Sequence, residues 1–142
     1  MTRGCGGDTL AAMATWAELQ ERVRRDYVLD VDQPGEFAMT VERREGETVR
    51  AQRVLCRLFD AWGHEMIELR SAFGEAGDYD SGGLLQDNLN LPLGAVALHG
   101  KYLVLVHKTC LEHITIDGAL FLLTQVSLLA DVLEARRGTD RF

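Results

Sequence analysis

Three turn signals constrain this chain more than any other feature: Glu45-Gly46, the tetrapeptide Asp60-Ala61-Trp62-Gly63, and Gly100-Lys101, each set between stretches of strand character. Ahead of the first, Phe37, Met39 and Val41 alternate with Glu36, Ala38, Thr40 and Glu42, so residues 36–43 have the period of two of a strand with one buried face. Residues 47–59 read as a second strand whose later part, 54–59, is apolar on both faces and therefore central. Residues 66–72 give a third strand, and residues 95–99 and 102–107 are the two arms of a further hairpin. Such short connections allow only antiparallel pairing.

Helical patterns frame these strands. Thr15 and Glu18 have capping-box spacing, in which each side chain would satisfy an exposed backbone N–H, and Trp16, Leu19, Val23 and Tyr27 then recur in steps of three and four. Pro34-Gly35 closes this section as a turn. A short helix is expected over residues 84–89, with Leu91 extended because the residue before Pro92 avoids helical geometry. The last helix is expected over residues 117–137, stopped by Gly138, with Arg136 and Arg137 complementing its dipole. The predicted order is α-β-β-β-α-β-β-α, an α+β domain with helices over one face of an antiparallel sheet. Residues 1–14 are expected to be a flexible N-terminal segment, 15–138 one domain, and 139–142 a tail.

Composition removes several function classes. A chain of 142 residues, 46% hydrophobic and 26% charged, can bury a core without staples. Its net charge of −7 disfavours a nucleic-acid surface, since Arg22, Arg24 and Arg25, and Arg43, Arg44, Arg50 and Arg53, are interleaved with acids. The odd cysteine count (Cys5, Cys56, Cys110) without a signal sequence fits a reducing, cytoplasmic compartment. The longest apolar run, residues 119–123, is too short to span a bilayer. Neither nucleic acid nor membrane is expected as a partner.

Candidate chemistry is sparse. His107, Cys110 and His113 stand as H-x2-C-x2-H, with His99 available as a fourth zinc ligand. The spacing lacks a paired CxxC half-site, so a small buried thiol with histidines at a strand end is the expectation, and no metal. A thiol nucleophile at Cys110 or Cys56 beside a histidine is a second arrangement. Cys56 falls in an apolar strand, where thiols are inert, and no local motif marks Cys110, although Lys108 is near. The stretch from Asp78 to Gly82 opens like a calcium loop but places Leu89 where a bidentate Glu is needed. Gly74, Gly77, Gly82 and Gly83 lack the GK[ST] of a phosphate loop. The chain is thus expected to be non-catalytic and without a cofactor; the rival is a small metal- or thiol-dependent enzyme centred on His107, Cys110 and His113.

What remains is apolar surface. Trp62 sits in a polar turn, where an exposed Trp would anchor a protein partner. Phe37, Met39 and Val41 would set the register of an added client strand if their own strand lay at the sheet edge, guarded by Glu36, Glu42, Arg43 and Arg44. The last helix carries Leu120, Leu128 and Val132 beside Leu123, Val126, Leu129 and Leu133, a wider apolar face than one sheet requires. Val126, Leu129 and Leu133, with the cluster Leu84, Leu85, Leu89 and Leu91, are therefore candidate homodimer contacts.

The segment LLQDNLNLPLGAVALHGKYLVLVHKTCLEHITIDGALFLLTQVSLLADVLEARRG, with ELRSAFG ahead of it, resembles the YbjN family and the related class I type III secretion chaperones of the CesT kind. The likeness covers residues 15–137 and rests on apolar patterns: a Leu-rich short helix, a strand hairpin and a long C-terminal helix. It implies a chaperone-like fold without an enzymatic site, and homodimers that hold an extended segment of another protein against apolar patches. The short helix and the strand after it are the dimer surface it points to. It also leaves open a regulatory or scaffolding role of the YbjN type, without secretion.

Overall fold

The computed structural model describes residues 13–136. Residues 1–12 with Cys5, the Arg137-Gly138 helix stop and the tail at 139–142 lie outside the described residues. Helix α1 (Trp16–Asp26) leads into strands β1 (Val28–Gln33), β2 (Glu36–Glu45), β3 (Thr48–Ala61) and β4 (His64–Glu75). A short 3-10 turn and helix α2 (Ser81–Asp87) follow, then the hairpin of β5 (Ala95–His99) and β6 (Tyr102–Cys110). A second 3-10 turn (Leu111–His113) enters helix α3 (Ile116–Ala135). The strands form one sheet in the order β1-β2-β3-β4-β6-β5, antiparallel throughout. This is the α+β class and, apart from β1, the element order expected from the sequence.

The extra strand has a local cause. Tyr27 is extended (φ −134, ψ 160), so α1 ends there and the chain turns straight into Val-Leu-Asp-Val-Asp-Gln. Pro34-Gly35 then reverses it between the paired residues Gln33 and Glu36; Pro34 presets the first turn position and Gly35 supplies φ 77 at the second. β1 is an edge strand carrying charge, and its acids are tied down: Arg24 donates to Asp32 at 2.7 Å and Arg53 to Asp30 at 2.8 Å. At the start of α1, Thr15 Oγ accepts the Glu18 N–H at 3.2 Å, as expected. The Glu18 carboxylate accepts a hydrogen bond from the Thr15 hydroxyl instead of from a backbone N–H, so only half of the capping box forms. Ala14, placed by the sequence in a flexible segment, is buried and donates its N–H to the Ile114 carbonyl at 2.7 Å.

Register assigns the two faces of the sheet. Phe37 pairs with Cys56, Met39 with Val54, Cys56 with Leu69, and Ser71 with Leu105, so these side chains share one face. That face is the core, buried beneath Leu19 and Val23 of α1 and Leu123, Val126, Ala130 and Leu133 of α3. Trp16 lies against Phe37, ring centroids 5.4 Å apart. Phe37 and Met39, expected to bind a partner if β2 lay at the sheet edge, are instead fully buried, because β1 covers the first half of β2 and α1 covers its inner face. Val126 and Leu133 are likewise buried in the chain's own core, which removes them from the expected dimer contacts, while Leu129 is half-buried against that core.

Helix α3 is long and apolar enough to cross a membrane by length and composition, with a mean hydropathy of 1.6, which the short run at 119–123 understated. Here it is the core helix. Its Ala119, Leu123, Val126, Ser127, Ala130, Asp131 and Leu133 are buried, a spacing of three and four that turns one face to the sheet. Asp131 on that face takes ion pairs from Arg43 and from Arg50 (2.7 Å), locking the far end of the β2–β3 hairpin to the helix.

Candidate protein-binding surfaces

An apolar exposed surface is built by α2 and β5. Asp80 caps α2 by accepting the Gly83 N–H at 3.2 Å, and the helix turns Leu84 inward and Leu85 outward. Leu85, Leu89 and Leu98 are 68%, 89% and 65% exposed. A groove of about 170 Å³ runs between the helix and the strand, lined by Ala76, Ser81, Leu84, Leu85, Val96, Ala97, Leu98 and Leu103, none of them charged. β5 pairs with β6 alone and is a sheet edge. Asn88 Oδ1 accepts the outward N–H of Val96 at 2.7 Å, and strand parity sends the N–H and C=O of Leu98 outward too. Of the leucines expected here, Leu85 and Leu89 are surface; Leu84 is buried and Leu91 packs against the core. Leu98 was missed, because its alternating run marks a strand but not which strand lies at an edge.

A second surface lies at the opposite edge. β1 pairs only with residues 36–40 of β2, so residues 41–45 continue past it with a free edge. A notch lined by Asp26, Tyr27, Val28, Thr40 and Glu42 opens where the pairing stops. Val41, half-buried, lines a groove with Leu128 of α3 on the inner side. Of Phe37, Met39 and Val41, along which strand addition was expected, Val41 alone lies on the part of β2 that β1 leaves unpaired. Phe121, Leu128 and Val132 of α3 leave an exposed apolar stripe on the solvent side of the helix.

Trp62 stands at the tip of the β3–β4 hairpin, 89% exposed, in a two-residue turn between the paired residues Ala61 and His64. Both turn residues have positive φ, 54 at Trp62 and 77 at Gly63, as in a type I′ turn. Asn or Gly suits the first position; a Trp there costs roughly 1 kcal/mol of backbone strain. The indole thus faces solvent on a backbone conformation that a bulky side chain seldom adopts.

The sheet face away from the helices is charged at its centre. Glu68 is buried there between Arg57, which donates to it at 2.9 Å, and Arg70. Burial alone would raise the Glu68 pKa, but the hydrogen bonds from Arg57 and Arg70 outweigh it and hold the carboxyl below its ordinary value.

The H-x2-C-x2-H spacing does not survive folding as a site. In a strand, residues three apart face opposite ways, so His107 lies on the core face opposite Leu69 while Cys110 lies on the open face opposite Met66. His99 is at the other end of the hairpin, about 26 Å from Cys110 along β6. Cys56 is fully buried, its thiol pushed up by burial and then by Glu68, which leaves it inert. Cys110 instead meets His64 and Glu112, one donor atom of each lying within 4.8 Å of the others. The signal for His64 was a histidine directly after a turn, which sequence spacing could not connect to a cysteine 46 positions later.

Burial also lowers the pKa of His107 below its ordinary value. A histidine whose folded pKa lies under the unfolded one supports the fold fully above the unfolded value and loses that support as pH falls through the folded one. Urea unfolding at about pH 7 and about pH 5.5 is expected to show an acid-side loss of stability that His107→Leu removes; equal losses in both proteins would refute this role.

No protein-family model matches the chain, and no curated protein matches it.

Proposed function

We propose that this chain is a non-catalytic protein-binding module, a cytoplasmic chaperone or adaptor that works as a homodimer. The observation that carries this reading is the uncharged surface of Leu85, Leu89 and Leu98 beside the free edge of β5. A chain of net charge −7 repels its own copies except across a neutral patch. The occupant is a second copy of the chain: about a twofold axis, β5 pairs antiparallel with its counterpart, and the leucines of each α2 cover the groove of the other. Buried there, the outward groups of Leu98 gain partners they otherwise find only in water.

Client binding then falls to surfaces the dimer leaves open: Trp62 at its hairpin tip and the free half of β2 beginning at Val41. Apolar anchoring with strand addition needs no cofactor, and the resemblance to YbjN and secretion-chaperone proteins supports the same mode of action.

Trp62→Asn is expected to raise stability by about 1 kcal/mol, since Asn tolerates positive φ, and to weaken client capture about tenfold or more. A thermal melt paired with quantitative pull-down from the native cell checks both. Undiminished capture of every wild-type partner by the Asn variant would overturn the anchor role.

A further inference from the structure

Two segments remote in sequence, the start of β4 and the end of β6 with the turn after it, bring different metal-binding donors to one end of the sheet. His64 is the first residue of β4 after the Trp62 turn, Cys110 the last of β6, and Glu112 lies in the 3-10 turn that follows. Met66 pairs with Cys110, so His64, two residues earlier, shares the open face with Cys110 and lies across from Glu112. Glu112 Oε1 is 2.9 Å from His64 Nδ1. The other carboxylate oxygen accepts the Glu65 N–H at 3.1 Å, which fixes the orientation of the group. The His113 ring stands 5.9 Å from that of His64, tilted by 54°.

We propose that His64, Cys110 and Glu112 form a binding site for a zinc-class divalent cation, with the fourth position taken by water or by His113. The donor set is chemically matched: imidazole, thiolate and carboxylate suit zinc, and the two anionic ligands neutralise its charge. Donors around a tetrahedral zinc lie about 3.5 Å apart, given bonds of about 2.0 Å to nitrogen and about 2.3 Å to sulfur. The present spread of up to 4.8 Å closes by side-chain rotation, since His64 is exposed and the other two only half-buried. Binding exchanges the hydrogen bond between His64 and Glu112 for two metal bonds and releases the Cys110 thiol proton to solvent. The ion would staple the hairpin tip that carries Trp62 to the turn that starts α3, holding the Trp62 anchor in place. The site stands apart from the α2–β5 surface, so it and the dimer can fail independently.

Cobalt(II) added to chelator-treated full-length protein tests this. The expected result is a thiolate-to-cobalt charge-transfer band saturating at a single ion per chain. It should vanish in Cys110→Ala, weaken at least about tenfold in His64→Ala and Glu112→Gln, and persist in Cys5→Ala, Cys56→Ala and His107→Ala. His64 is exposed, so its variant reads out the site even if Cys110→Ala fails to fold. Absence of a thiolate band in the wild type, or a band unchanged in His64→Ala, would overturn the proposal.

Discussion

Met39→Asp is expected to abolish cooperative unfolding of the domain, leaving no thermal transition at neutral pH. Met39 pairs with Leu29 on one side and Val54 on the other, and no part of it reaches solvent. Removing its side chain from the core costs about 2–5 kcal/mol, and placing a carboxylate in that hydrophobic cluster adds several more. The sum is comparable to the whole stability of a domain this size, about 5–15 kcal/mol. Met39→Leu keeps volume and apolarity and should melt within a few degrees of the wild type. A Met39→Asp protein with an unchanged melt would place this side chain at the surface and restore the first half of β2 as a client edge.

Leu98→Asp is expected to leave the fold intact and to prevent the proposed homodimer from forming. The side chain is 65% exposed in the single chain, so its replacement costs the monomer little. In the proposed dimer it would lie beside the twofold axis, and a symmetric interface meets each substitution twice. A loss of about 2 kcal/mol per copy, as for an interface hot spot, gives about 4 kcal/mol and roughly a thousandfold weaker association. Two carboxylates brought together at an apolar edge add repulsion. Sedimentation velocity with a parallel melt separates the outcomes: a folded monomer supports the surface, and a folded dimer of wild-type affinity rules it out.

Much of the fold was legible because its signals are local. The alternation at Phe37, Met39 and Val41 and the glycine turns each act over a few residues, and each formed where expected; the 54–59 segment is an interior strand as expected, but only one of its faces is core, since Arg57 on the other is exposed and pairs with Glu68. β1 was illegible because six residues with two acids look like a loop; it is a strand only because β2 lies alongside to pair with it. Strand order is a tertiary property: the alternation at Phe37 and Met39 fits an edge strand and a covered one alike, and pairing with β1 makes both residues core. The breadth of the apolar face of α3 was read correctly but assigned to the wrong residues: Val126 and Leu133 face the sheet, while Phe121, Leu128 and Val132 face solvent. The cluster at Cys110 shows the same limit, since the spacing that would place His107 and His113 beside it applies to a loop, and His107 lies within a strand.

The central claim is that the α2–β5 surface is occupied by a second copy of this chain. Light scattering coupled to size exclusion, run across the micromolar range, tests it most directly. The expected mass is about twice the 15.8 kDa of the chain, constant until dilution splits the pair. A particle of 15.8 kDa at every concentration would contradict it.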